Sequence, residues 1–256
     1  IEPLKGLDVR SIYRSSAGNY WLGTHSGLKF WDGEQAVVNH QSGPNSQMDN
    51  AYIRAIVPFS NGKVWVASYG KGLALYQEAS GQFIKQFLHD ASDPTSLAFD
   101  DVGTIFLSRN GTLLIGTWGE GLQLLNAHTS DHFAMLRHSL QHVLGVSFAN
   151  VRTLLELLDG RLLAGTTGTG LDLIDPALGR VATIMKSATG QEFKNIVSLA
   201  QQADGTIWVG TQDGINRFDG QEFQIFTPDN TKGLESGFIL SSHTAKNGFL
   251  WFGTSN

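Results

Sequence analysis

One stretch of this chain recurs six times. In its clearest copy, Asn195 to Gly220, it reads NIVSLAQQADGTIWVGTQDGINRFDG: a β-branched run, an Asp-Gly turn, a second run centred on Trp208, a Gly-bearing loop and a third apolar–polar alternation. Asp-Gly or Asn-Gly between alternating hydrophobic runs signals a hairpin, and a type I′ turn with φ > 0 at both central residues is the expectation. The turn glycines are Gly18, Gly62, Gly111, Gly160, Gly205 and Gly248, at intervals of 44, 49, 49, 45 and 43 residues. The incoming strands carry Val9, Ile53, Val102, Val151, Ile196 and Ile239, followed two places on by Ser11, Ala55, Thr104, Thr153, Ser198 and Ser241. Three residues after the turn glycine stand Trp21, Trp65, Leu114, Leu163, Trp208 and Trp251. Two further on come Gly23, Ala67, Gly116, Gly165, Gly210 and Gly253, each followed by Thr or Ser.

A unit of about 40–45 residues that supplies four strands has the period of a propeller blade. The expected fold is therefore all-β, a β-propeller of four-stranded blades. Five complete blades are expected at about 8–40, 51–89, 100–138, 149–189 and 195–228, with a partial sixth at 237–256. The small residue suits a crowded innermost strand. The large residue fills the wedge between adjacent blades, where an aromatic buries on the order of 150–250 Å². The glycine beyond it lets a neighbouring backbone approach, and each blade depends on its neighbours for burial. An unfinished sixth blade presents an open edge. That edge is expected to be covered by further blades of a longer chain or by a second copy.

At net charge −5 the chain lacks the basic footprint of nucleic-acid binding, and anionic membrane surfaces are disfavoured for the same reason. With no cysteine, disulfides, thiolate nucleophiles and Cys-ligated metals are excluded. No run of about 18 apolar residues is present to span a membrane, and a signal peptide is expected to be absent or already removed. No G-x-S-x-G, H-E-x-x-H or phosphate-cradling glycine loop occurs, and no cofactor is expected. The acidic residues are scattered over turns and linkers, unlike the paired carboxylates of a glycosidase.

Candidate binding residues gather on the loops that follow each second strand, since a rigid scaffold carries its binding groups on loops. Tyr69 and Trp118 occupy equivalent loop positions and suit stacking against a sugar ring; the alternative is that they pack on neighbouring loops. Arg10, Arg54 and Arg152 share one column near the start of the first strand. They could converge on a carboxylate or sulfate, or pair with acids such as Asp8 or Asp101. His25 is the base that a propeller lyase would use. His128, His132, His138 and His142 invite a metal, but His40, His89 and His138 recur at 49-residue spacing. That regularity points instead to hydrogen bonding of each linker backbone.

Strand–[DN]G–x–[ILV]–W–[IV]–G–T–x–x–G–[LI], with a linker like HDASDPTSL (residues 89–97), resembles the two-component regulator propeller repeat. Copies with Leu114 and Leu163 depart from the tryptophan without changing strand phase. The resemblance implies part of a seven-bladed ring in the extracytoplasmic, periplasmic sensor region of an inner-membrane hybrid histidine kinase or diguanylate cyclase. It supplies no catalytic residue. The expected function is non-catalytic recognition of a small molecule or oligosaccharide, with a protein-interaction scaffold and a lyase as the alternatives.

Overall fold

A computed structural model of the chain describes residues 4–34, 38–39, 48–126, 133–136, 150–175, 179–184, 192–219 and 223–255. The strands are β1 (Val9–Arg14), β2 (Tyr20–Thr24), β3 (Gly27–Trp31) and β4 (Val38–Asn39) in one sheet; β5 (Tyr52–Phe59), β6 (Lys63–Tyr69), β7 (Leu73–Gln77) and β8 (Phe83–Phe87) in the next. A third sheet holds β9 (Val102–Leu107), β10 (Thr112–Thr117), β11 (Leu122–Asn126) and β12 (Phe133–Leu136). Then follow β13 (Val151–Glu156), β14 (Leu162–Thr166), β15 (Leu171–Asp175) and β16 (Gly179–Ile184), and after them β17 (Ser198–Gln201), β18 (Ile207–Gly210), β19 (Ile215–Phe218) and β20 (Phe223–Phe226). β21 (Ile239–Thr244) and β22 (Leu250–Thr254) form a two-stranded sheet. In every sheet each strand is hydrogen-bonded to the next in sequence.

The chain divides into two compact units, Ile1–Gly119 with Gln123–Met135, and Glu120–Leu122 with Leu136–Asn256. Within the first, β1 packs beside β5 and β5 beside β9; within the second, β13 packs beside β17 and β17 beside β21. Four-stranded meanders whose first strands lie side by side are the arrangement of propeller blades.

The turns after the first strands differ from expectation. Only Asn61-Gly62 has φ > 0 at both central residues, 59° and 64°. In the other five, the glycine N–H bonds back to the carbonyl three residues earlier, on Ser15, Ser108, Leu157, Gln202 or Ala245. These are type I turns closed by a left-handed glycine. The Asn or Asp before the glycine is selected for its side chain. Asn110, Asp159, Asp204 and Asn247 each accept the N–H two residues on, at 2.9–3.2 Å, the Asx-turn bond.

The glycine column admits a side chain rather than the expected backbone. A Cβ at Gly23 would stand 2.6 Å from Cγ2 of Ile53, and one at Gly165 would stand 2.5 Å from Cγ2 of Ile196. In each case a β-branched residue on, or just before, the next sheet's first strand fills the space. Trp21 is buried with Ile53, Ile56 and Tyr76 of the following sheet, and Trp65 with Val102, Ile105 and Ile115 of the next. Leu163 does the same against Ile196, Leu199 and Val209. Trp208 is half-buried; its ring lies 5.7 Å from Phe226 and 5.9 Å from Phe252, and its indole N–H reaches Gln202. Trp251 departs from the column: it is 66% exposed, because no sheet follows β22 among the described residues.

The linker histidine plays its expected part where it is described. Nδ1 of His89 lies 2.9 Å from the Leu97 carbonyl, across the DASDPTS bend. His40 and His138 lie outside the described residues.

Candidate functional site: an aromatic and guanidinium cluster in the first unit

The Thr or Ser after each column glycine fixes the loop that follows. Thr24 donates its hydroxyl to the Gly27 carbonyl at 2.7 Å, Ser68 to Gly72 at 3.1 Å, Thr166 to Gly170 at 2.8 Å and Thr211 to Gly214 at 2.9 Å. Backbone bonds then tie these loops to the chain entering the first strand. The His25 N–H donates to Asp8, Gly70 to Asp100 and Trp118 to Asp101. The loops carrying His25, Tyr69 and Trp118 are thus held rigidly, at the end of the strands opposite the type I turns.

These loops form one connected cluster. Tyr52 and Tyr69 face each other across β5 and β6, with ring centroids 6.5 Å apart. The His25 ring lies 4.5 Å from Tyr52 at 42°. Trp118 meets Tyr69 edge-on, at 5.8 Å and 85°. Tyr69 is 45% exposed, while Trp118 is half-buried. The two aromatics therefore both pack on a neighbouring loop and present ring surface to solvent. The Asp101 charge and its hydrogen bond hold the Tyr69 phenol above its ordinary value.

The arginine column has a structural cause. Arg10, Arg54 and Arg152 each fall where the register slips by one, between Val9 and Ser11, Ile53 and Ala55, and Val151 and Thr153. Each is the extra residue of a β-bulge, which re-aims its side chain out of the ladder. Arg10 pairs with Asp8 at 2.8 Å and lies 5.8 Å from the Tyr52 ring centroid. Being exposed, that pair contributes little to stability. The Arg54 guanidinium carbon lies 5.3 Å from the Tyr52 centroid and 5.5 Å from that of Trp118, and Nη1 donates to the Tyr52 hydroxyl at 3.0 Å. Cation–π contacts of this kind contribute about 0.5–2 kcal/mol each. Arg152 belongs to the second unit, where it is half-buried.

Of the six residues proposed from the sequence, five are therefore brought together around Tyr52, which sequence reasoning missed. A signal was available: Asp8, Asp101, Asn150 and Asn195 occupy Tyr52's column in four copies and Phe238 in the last, so an aromatic there departs from the polar majority. His128, His132, His138 and His142 lie outside the described residues, and no group of three or more metal-ligating side chains occurs among the described ones.

At the turn end of the first unit a cavity of about 290 Å³ is lined by Ser15, Asn19, Trp31 and Glu78 among others. Glu78 clamps two sheets there: Oε1 accepts the Tyr13 hydroxyl at 2.6 Å and the Ser16 N–H at 2.7 Å. Burial, and then the bond to Glu78, push the Tyr13 phenol from 10.0 up to about 12. The Tyr13 bond and then the Ser16 N–H hold Glu78 below its ordinary 4.5. The two groups act in opposite pH ranges. The Glu78 contribution is present above its ordinary 4.5 and is lost as pH falls below it; the Tyr13 contribution is complete below pH 10.0 and is lost as pH rises to about 12. Denaturant unfolding on either side of pH 10.0 should show this alkaline loss, and Tyr13→Phe should abolish it. An unchanged alkaline slope in Tyr13→Phe would remove the clamp from this account.

Comparison with known proteins agrees with this architecture. The family model described as "Two component regulator propeller" matches residues 3–26 and 190–213. No curated protein sequence matches the chain. Among solved structures, the extracellular domain assigned to a hybrid two component system of B. thetaiotaomicron superposes with a TM-score of 0.78 at 22% identity, covering 96% of this chain and 32% of that one. A second such domain from the same organism gives 0.65 at 19%, covering 98% and 37%. Virginiamycin B lyase from Staphylococcus aureus gives 0.63 at 12%, covering 97% and 84%. The chain thus spans about a third of the length of the first two, and at these identities the likeness is one of fold. No helix among the described residues is long and apolar enough to cross a membrane. Two stretches of the chain, residues 3–26 and 190–213, thus match the two component regulator propeller repeat, and the recurring four-stranded sheets are consistent with propeller blades.

Proposed function

We propose that this chain is the ligand-sensing part of an extracytoplasmic region of a bacterial signal-transduction receptor, and that it recognises a small molecule or oligosaccharide without transforming it. The observation that carries the reading is the Tyr52, Tyr69, Trp118 and Arg54 cluster, which offers a part-exposed aromatic surface and a fixed cation on loops locked to a rigid scaffold. Aromatic faces of this kind contribute heavily to recognition at small contact areas. The family repeat and the two similar B. thetaiotaomicron domains, extracellular parts assigned to hybrid two component systems, support placement in a signal-transduction receptor.

An oligosaccharide array probed with the purified chain tests this. Trp118→Ala and Tyr69→Ala are each expected to weaken binding by about tenfold or more, as hot-spot aromatics do. Binding that both variants retain would reject the cluster as the ligand face, and turnover of a bound compound abolished by His25→Ala would reject the non-catalytic reading.

A further inference from the structure

We infer that the ligand taken by this face carries a carboxylate or sulfate, received by Arg54, beside an apolar ring surface that lies on Tyr69 and Trp118. The inference rests on the sensing role proposed above and names the chemistry of its ligand. Four aspartates, Asp8, Asp49, Asp100 and Asp101, stand on the segments that build the face, and each is already engaged. Asp8 pairs with Arg10 at 2.8 Å, Asp101 holds the Tyr69 hydroxyl, and Oδ1 of Asp100 accepts the His89 N–H at 2.7 Å.

Arg54 is different. Among the described residues no carboxylate lies within ion-pair distance of it, and its one side-chain hydrogen bond goes to a neutral phenol, that of Tyr52. A guanidinium has five N–H donors in a planar fork, so most of this group's donating capacity is open to a ligand. The group is half-buried, the bulge between Ile53 and Ala55 directs it, and the Tyr52 and Trp118 rings flank it at 5.3 and 5.5 Å. It is thus oriented before any ligand arrives. An oriented fork matches the two oxygens of a carboxylate or sulfate in a way that an ammonium does not.

The neighbouring surface sets the second half of the ligand. Tyr69 is 45% exposed and meets Trp118 edge-on, leaving ring surface open beside the guanidinium. A neutral ring ligand would use that surface and leave the cation to water, whereas a cationic ligand would meet repulsion from Arg54. A ligand bearing both an anion and a ring face uses every group of the cluster.

The test is an array holding neutral, uronic-acid-bearing and sulfated oligosaccharides of matched length, followed by titration of the bound members by tryptophan fluorescence. Free glucuronate and inorganic sulfate serve as separate arms, to distinguish an acidic sugar from an anion alone. Acidic oligosaccharides are expected to bind at least tenfold tighter than neutral analogues, and to weaken as salt rises. Arg54→Met should cost them about 10- to 100-fold, in the range of a charged hydrogen bond, with little change for neutral members. Arg54→Lys, which keeps the charge and loses the fork, should fall between and guards against a misfolded Met variant. A preference for neutral members, or acidic binding indifferent to both Arg54 variants, would overturn the anion assignment and leave the sensing face standing. Sulfate alone binding as tightly as the acidic oligosaccharides would overturn the ring half of the inference. Failure of the unaltered chain to bind any member would count against both readings.

Discussion

Trp21→Ala is expected to destabilise the first unit by about 3–5 kcal/mol, the range for deleting a buried aromatic, while Trp251→Ala should change stability by less than about 0.5 kcal/mol, as surface substitutions do. The two tryptophans hold the same position in their repeats and follow the same turn glycine by three residues. Their environments decide the difference. Trp21 is 1% exposed, edge-on to Phe30 at 4.5 Å and to Tyr76 of the following sheet at 6.0 Å. Removing it leaves a cavity among Ile53, Ile56 and Tyr76, residues that cannot collapse without moving the neighbouring sheet. Trp251 is 66% exposed, so its removal uncovers nothing. Denaturant unfolding of the whole chain measures both. A large loss at Trp251 would show that another surface covers it in solution. A negligible loss at Trp21 would end the account of sheets wedged together by this column.

Gly165→Ala should destabilise the second unit by about 1–3 kcal/mol, the usual cost of overpacking. Two effects compete at this site. Alanine restricts the unfolded chain, which alone would stabilise by about 0.4–1 kcal/mol where the backbone conformation is compatible. Gly165 is not among the glycines with positive φ, so that gain is available. The added methyl, however, would stand 2.5 Å from Cγ2 of Ile196 and 2.6 Å from Cγ2 of Thr153. Both neighbours are β-branched and stiff about χ1, so neither can swing aside cheaply. Steric cost should therefore exceed the entropic gain. Ile196→Ala deletes one of the colliding methyls, and in that background Gly165→Ala should cost less, with a coupling of about 0.5–3 kcal/mol. A stabilised Gly165→Ala protein, or strict additivity in the cycle, would mean that the sheets are not in the close contact described.

Much of this architecture is legible in the residues because it is repeated. A side chain that does one job in several copies leaves a column: the β-branched residue that enters the neighbouring glycine, the hydroxyl that closes the loop, the turn glycine with positive φ. The same logic identified the loops on which Tyr69, Trp118 and His25 stand. It misjudged the turn type, since Asp-Gly is compatible with two turns and only the Asx bond, seen at Asp159 and Asp204, separates them. Tyr52 escaped notice because its role exists in one copy, and periodicity records what recurs.

What the sequence alone determined is the four-stranded unit, its turn positions and its contact columns, because these are local or nearest-neighbour properties with a fixed spacing. Tertiary structure decided which column members matter. It paired Arg10 with Asp8 and left Arg54 on two aromatic faces, and it buried Trp21 while exposing Trp251. Residues in one column share a backbone position, yet their side chains meet whatever the adjacent sheets bring to them, and that depends on residues about one repeat away in the chain.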